Sequence, residues 1–528
     1  MKTINKIFAI TLLTGLAISC KQDVIKLQQP VVPTPITPSK GSADFTKFVA
    51  IGNSLTAGYQ ASALFTEGQT NSLPNILATQ FATVGGGVFN QPDISSVNGY
   101  SSSPGPGFYL GRLILFDPDG PTGPRTPAPY PSHFPGSAVT CPSAVTTPAL
   151  PAPYNTADLP APFLGNKAAL NNFAVPGILL GQGLTPLTGG PAGPPPYNGL
   201  YARFASSPGT STIMGDAIAA NGTFFLFDLG NNDVLGYATS GASGAIPLTS
   251  QAAFNGQYSA AIVMLMGASA TSKGVIANIP DVTSIPFFNT VLWNAIAFKS
   301  TDATTIDAVN AGYAPYNAGI QNPGFALSAA EITKRTIAPF VVGSNAIVIT
   351  DKTLTDLTSF GLPSIRQATA ADLITLTAGG VLGTCVGGNA TKIIGVSVGL
   401  ADQYVLMGGI SSNGSQPEID LVKARTSEFN VIIKAAADNS NGRIALADVN
   451  AALTTLVTNK AGVYNGVTIT PSFAPPFGAF SEDGVHPNSR GYAFMANIYI
   501  DAINAKFGAA IPSVDISKYK GTGLPINP

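Results

Sequence analysis

FVAIGNSLTAG, residues 48–58, decides how this chain is read. Phe48-Val49-Ala50-Ile51 is a short apolar run of strand type, and it breaks at Gly52-Asn53-Ser54-Leu55, where a helical pattern starts. A serine at the carboxyl end of a buried strand and the start of a helix lies where backbone N–H groups can meet negative charge. The same serine also suits a helix N-cap, and the segment alone does not choose between the two.

Outward from this stretch the pattern repeats. Further strand candidates are Phe224 to Leu229, Gly274 to Ile279, Ala346 to Thr350 and Arg443 to Val449, and helix candidates are Gln251 to Ala268, Ile419 to Ala437 and Ser489 to Phe507. Strands alternating with helices predict an α/β fold: a three-layer sandwich around a parallel sheet, with functional groups at the carboxyl ends of the strands. Two regions interrupt the rhythm, a Pro/Gly/Ser-dense insertion near 90–165 and a long one near 288–400, and a further Pro/Gly cluster lies at Gly189 to Pro196.

Charged residues make up only 10% of the chain and nearly balance at −1, so no basic surface for nucleic acid is implied. Gly (57) and Pro (43) are abundant, yet 45% hydrophobic content in structured runs argues against general disorder.

Three further segments bear on chemistry. Asp483-Gly484-Val485-His486-Pro487 precedes a helical pattern. A serine hydroxyl needs a base to take its proton, and a carboxylate three residues before a histidine can fold back to hold the imidazole in one tautomer. The chain has two histidines, and His133 lies in the Pro-rich insertion, so His486 is the candidate base. Phe225-Leu226-Phe227-Asp228-Leu229-Gly230-Asn231-Asn232-Asp233 is another buried strand ending in a polar turn, where an Asn amide can donate to an oxyanion or simply cap a helix. Phe173-Ala174-Val175-Pro176-Gly177 ends in a glycine that can offer a backbone N–H or merely turn the chain.

Taken together and in this order, the segments resemble the SGNH (GDSL-type) hydrolase family, named for Ser, Gly, Asn and His in separate blocks. Gly52-Asn53-Ser54-Leu55 resembles the first block, Gly177 the second, Gly230-Asn231-Asn232-Asp233 the third and Asp483 to His486 the last. The resemblance runs from about Phe45 to Phe507 and implies a flavodoxin-like sheet and a domain over 44–510, followed by a C-terminal tail, 511–528. It also implies hydrolysis of a carboxylic ester (acyl lipid, acetylated glycan or small ester) with Ser54 as nucleophile, His486 as base and Asp483 as its orienting partner. Ser54 and Gly177 would bind the oxyanion through their N–H groups, and Asn232 through its side chain; no metal or organic cofactor is implied. The family's usual Gly-Asp-Ser-Leu is Gly52-Asn53-Ser54-Leu55 here.

A rival motif, Gly395-Val396-Ser397-Val398-Gly399, fits the nucleophile elbow of α/β-hydrolases, but glycine is frequent enough to make the match cheap, and no His-Gly-Gly oxyanion loop precedes it. Asp117-Pro118-Asp119-Gly120 lacks the spacing and closing Glu of a calcium loop.

Lys2 and Lys6, an apolar run from Ile7 to Leu16, and small residues ending at Cys20 read as a lipoprotein signal peptide, 1–19. The run is too short to span a bilayer. Lipidation at Cys20 would then anchor the chain to a membrane through a Pro-rich tether, 20–43, placing it in the cell envelope, with the outer membrane as the expected site. Cys141 and Cys385 remain for a disulfide or for two buried thiols. A non-catalytic surface lipoprotein that binds a glycan or a partner on the same scaffold is the alternative reading; the oligomeric state is not indicated.

Overall fold

The computed structural model describes residues 37–97, 99–100, 111–116, 126–128, 161–409 and 414–524. Cys20 and the expected signal peptide, Asp117 to Gly120, His133 and Cys141 lie outside the described residues. Cys385 is disulfide-bonded.

The centre is a parallel four-strand sheet flanked by helices. Its strands are β1 (Phe48–Gly52), β2 (Phe224–Asp228), β3 (Lys273–Ala277) and β4 (Ile444–Ala447), adjacent in that order. All five residues of β1 and all five of β2 are buried, which explains the continuous apolar runs Phe48 to Ile51 and Phe224 to Phe227: a parallel strand covered by helices has no polar face to alternate with. The helices used below are α1 (Ser54–Ala57), α2 (Leu73–Ala82), α3 (Asn232–Thr239), α4 (Gln251–Ala268), α5 (Glu418–Asp438), α6 (Val449–Asn459) and α7 (Ser489–Phe507). Helices α4 and α7 begin where local capping dictates. Ser250 accepts a hydrogen bond from Ala253 N–H, Asn488 accepts one from Gly491 N–H, and Gly508 ends α7 in the left-handed region at φ 61°. Helix α4 packs on α5 through Phe254 and Phe429, whose rings stack with centroids 3.7 Å apart.

Register positions the functional edge. Gly52 pairs with Asp228, so the turns that follow β1 and β2 emerge side by side. On the other side of β1, residues 171–175 run parallel to it: Ala50 N–H donates to Asn171 O (2.8 Å), Phe173 N–H to Ala50 O (2.8 Å) and Val175 N–H to Gly52 O (3.0 Å). Three turns, after Gly52, Val175 and Asp228, thus leave the sheet side by side.

The expectation of a sheet strand at Ala346 to Thr350 is corrected. Val348–Thr350 pairs antiparallel with Ile365–Gln367, outside the central sheet. It belongs to a second apolar core, which includes Ile296, Phe298, Tyr313, Phe340, Ile349 and Val405 and is built from short antiparallel pairs around the helix Ala303–Gly319. A three-residue strand buries too little to choose its neighbours by itself. The pairing is fastened by Arg366, whose Nε lies 2.6 Å from Asp351 Oδ2 and whose Nη1 lies 2.7 Å from Asp372 Oδ2. Ile511, Val514 and Ile516, in the stretch expected as a tail, are buried in the main core. Among the described residues no helix is long and apolar enough to cross a membrane.

Candidate active site

The turn after β1 is tight. A Cβ on Gly52 would lie 2.0 Å from Thr56 Oγ1, so only glycine allows α1 to start immediately against the strand. Asn53 then caps α1 by accepting from Leu55 N–H (3.1 Å), which leaves Ser54 free of the capping role that its position would also have suited. The Ser54 hydroxyl instead lies 2.8 Å from His486 Nε2, across 432 residues of sequence. The other ring nitrogen, Nδ1, is 2.8 Å from Asp483 Oδ2. Serine, imidazole and carboxylate therefore form one hydrogen-bonded line.

The Asp483 carboxylate is held by more than the imidazole. Its Oδ1 accepts from the N–H groups of Val485 (2.9 Å) and His486 (2.8 Å) and from the Ser481 hydroxyl (3.1 Å), and its Oδ2 accepts from Ser62 N–H (2.8 Å). Ser481 Oγ in turn accepts from Ala61 N–H at 2.9 Å. Burial pushes this carboxyl upward, but the neighbouring imidazole and the hydrogen bonds from His486 and Ser62 outweigh it and hold the pKa below the usual carboxylate range. Ala61 and Ser62 adopt positive φ (49° and 59°), a costly conformation for non-glycine residues, and it is these two residues that supply the N–H donors. The ring of Tyr59 packs against the imidazole at 4.8 Å between centroids.

Of the expected oxyanion donors, Ser54 and Asn232 line one cleft, and Asn232 is bonded to Ile178, the neighbour of Gly177. The N–H groups of Ser54 and Gly177 make no hydrogen bond among the described residues. Gly177 is at φ 79° and is flanked by fastened neighbours: Val175 bonds to Gly52 O, while Ile178 O accepts from Asn232 Nδ2 at 2.8 Å. A side-chain amide has two N–H groups, so one anchors the Gly177 loop and the other remains to donate elsewhere. Asp233 strengthens the joint by accepting from Leu180 N–H (2.8 Å) and the Thr249 hydroxyl (2.9 Å); burial raises its carboxyl to about 6.

A cleft opens beside the serine, lined by Ser54, His486, Asn231 and Asn232 together with apolar side chains of α6 and α7. Among the described residues no cluster of three His, Cys, Asp or Glu side chains is placed to hold a metal ion.

Ser397 lies apart. Its hydroxyl accepts from Ile393 N–H (2.8 Å) and donates to Thr391 O (2.7 Å), closing its own turn, whereas the imidazole of His486 is engaged by Ser54 and Asp483. Sequence reasoning missed Ser481, Ala61 and Ser62, which lock the carboxylate. A serine two residues before Asp483 is a faint signal; nothing in an Ala-Ser pair announces positive φ. Comparison with protein-family models, with curated proteins and with solved structures finds no match for this chain.

Proposed function

We propose that the protein is a serine hydrolase of the SGNH type that cleaves carboxylic esters. The observation that carries this reading is the line Ser54 Oγ, His486 Nε2, His486 Nδ1, Asp483 Oδ2, with 2.8 Å at each hydrogen bond. The imidazole takes the serine proton as Oγ attacks the ester carbonyl, and Asp483 stabilises the imidazolium that forms. Charge gathering on the carbonyl oxygen is met by the free N–H groups of Ser54 and Gly177 and by the second amide N–H of Asn232. The imidazolium then protonates the departing alcohol. Water, deprotonated by the same imidazole, releases the acid and restores Ser54.

The fold supports the same reading. With residues 171–175 counted as the second strand, the strands lie in the order 2-1-3-4-5, the doubly wound, flavodoxin-like order, whose sites form at the carboxyl edge. Lipidation at Cys20 and an outer-membrane location belong to this proposal through the leader sequence alone.

The test is the hydrolysis of p-nitrophenyl acetate by the protein and by Ser54→Ala. Loss of at least about a thousandfold in kcat/KM with an unchanged melting temperature is expected. Activity that survives the substitution sinks the assignment. A folded protein inert on every ester would instead favour a non-catalytic binding scaffold.

A further inference from the structure

The cleft beside Ser54 has a chemical character that the catalytic line does not require. Val449, Leu453 and Leu456 stand at i, i+4 and i+7 on α6 and form one apolar stripe; Phe494 and Ile498 stand at i and i+4 on α7. Stripes of this kind normally close on one another. Here they line an open cleft, and the polar groups on its wall are those of the catalytic turns, among them Ser54, His486, Asn231 and Asn232.

An occupant whose carbonyl sits at Ser54 therefore lies against hydrocarbon. The hydroxyls of a glycan would find no partners along Leu453, Leu456 and Ile498, and burying an unpaired hydroxyl is unfavourable. An acetyl group is too short to cover an apolar wall that runs from Val449 to Leu456, about 10 Å of helix. A flexible hydrocarbon chain meets both conditions, since each methylene transferred from water to such a wall is favourable.

We infer that the substrate is an ester bearing a long unbranched hydrocarbon chain, and that Leu453 on α6 and Ile498 on α7 set the length accepted. This inference rests on the serine-hydrolase reading for its chemistry, but not for the binding of the chain. The chain can belong to the acyl part or to the alcohol, and the experiment separates the two.

kcat/KM is measured for p-nitrophenyl acetate, butyrate, octanoate and dodecanoate, which vary the acyl part, and for butyl and octyl acetate, which vary the alcohol. Each buried methylene is worth about fourfold, so a rise of at least about a hundredfold from acetate to octanoate is expected if the acyl chain occupies the cleft. The corresponding rise among the alkyl acetates assigns the cleft to the alcohol. In the series that rises, Leu453→Trp and, independently, Ile498→Trp should lower the long-to-short ratio at least about tenfold. Flat profiles in both series overturn the inference while leaving the serine hydrolase intact.

Calorimetric titration of the Ser54→Ala protein with dodecanoate covers the opposite case. If no ester is cleaved, or if cleavage ignores Ser54, the serine-hydrolase reading fails. Dodecanoate binding that is lost with Leu453→Trp still upholds the apolar-chain site, and absence of binding overturns it.

Discussion

Buried carboxylates occur in both cores of the molecule, and the two cores hold them differently. At the edge of the parallel sheet that carries Ser54, Asp228, Asp233 and Asp483 are bonded by N–H groups, amides and hydroxyls, with the imidazole of His486 the one ring nitrogen among their partners. In the second core Asp351 and Asp372 grip Arg366 between them, and Lys334 Nζ adds a contact to Asp351 at 3.0 Å. The titration follows the partners. Burial lifts Asp228 to about 6. Burial also pushes Asp351 upward, but the Thr353 hydroxyl and the Arg366 guanidinium outweigh it and bring it to about 2. Burial without a charged partner raises Asp228 and Asp233, whereas Asp483 beside its imidazole and Asp351 beside its guanidinium are both held low.

The sharpest way to break this contrast is Asp483→Asn. Shape survives, but the charge that stabilises the imidazolium does not, and the amide favours the wrong tautomer. A fall of about a thousandfold to ten-thousandfold in kcat, with little change in KM, is expected from steady-state kinetics. In the second core the matching experiment is Arg366→Met, which strands two buried carboxylates. Urea unfolding should show a loss of about 3–5 kcal/mol, and the doubly neutralised partner set Arg366→Met, Asp351→Asn, Asp372→Asn should recover part of it. Asn232→Ala removes both the oxyanion amide and the anchor on Ile178 O, for an expected loss of about a hundredfold to a thousandfold in kcat.

Glu482 sharpens the comparison through pH. Burial, reinforced by the negative charge of Asp483, raises its carboxyl from 4.5 to about 7. A raised acid is protonated in the folded state when it would be ionised in the unfolded one, so its cost is absent below about pH 4.5 and complete above about pH 7. Unfolding free energies of Glu482→Gln and the parent, from urea titrations, should therefore coincide at low pH and diverge in favour of the variant by about 1–3 kcal/mol at pH 8. Asp351 has the opposite sign. Its stabilisation is present above its ordinary value of 3.8 and disappears only as pH falls through about 2. The smallest effect belongs to Ser397→Ala, which should cost about 1 kcal/mol of stability through its lost turn and leave esterase activity unchanged.

How much of this was visible beforehand depended on how local the signal was. Helices α4 and α7 end where the sequence places them, because Ser250, Asn488 and Gly508 act within one turn of the boundary. Ser54, Asp483 and His486 were legible as polar residues at the ends of apolar runs, and the structure brings them into hydrogen-bonding contact. The second core was not legible. Val348–Thr350 has strand composition, but its neighbour was selected by an arginine fifteen residues from its aspartate partner. The cleft was equally hidden, since Leu453 and Ile498 occupy positions that any helix uses to cover a core. Only the space between α6 and α7 gives them a different meaning.

One joint has a mechanical consequence. Ser39 and Ala510 exchange two backbone hydrogen bonds, at 3.3 and 2.8 Å, and Ser42 N–H bonds to Phe507 O at 2.9 Å, so the chain enters this domain at the far end of α7. His486 stands just before the opposite end of that helix, whose 19 residues span about 28 Å. A pull on the chain upstream of Ser39 therefore meets first the backbone bonds to Phe507 and Ala510, at the end of α7 away from His486.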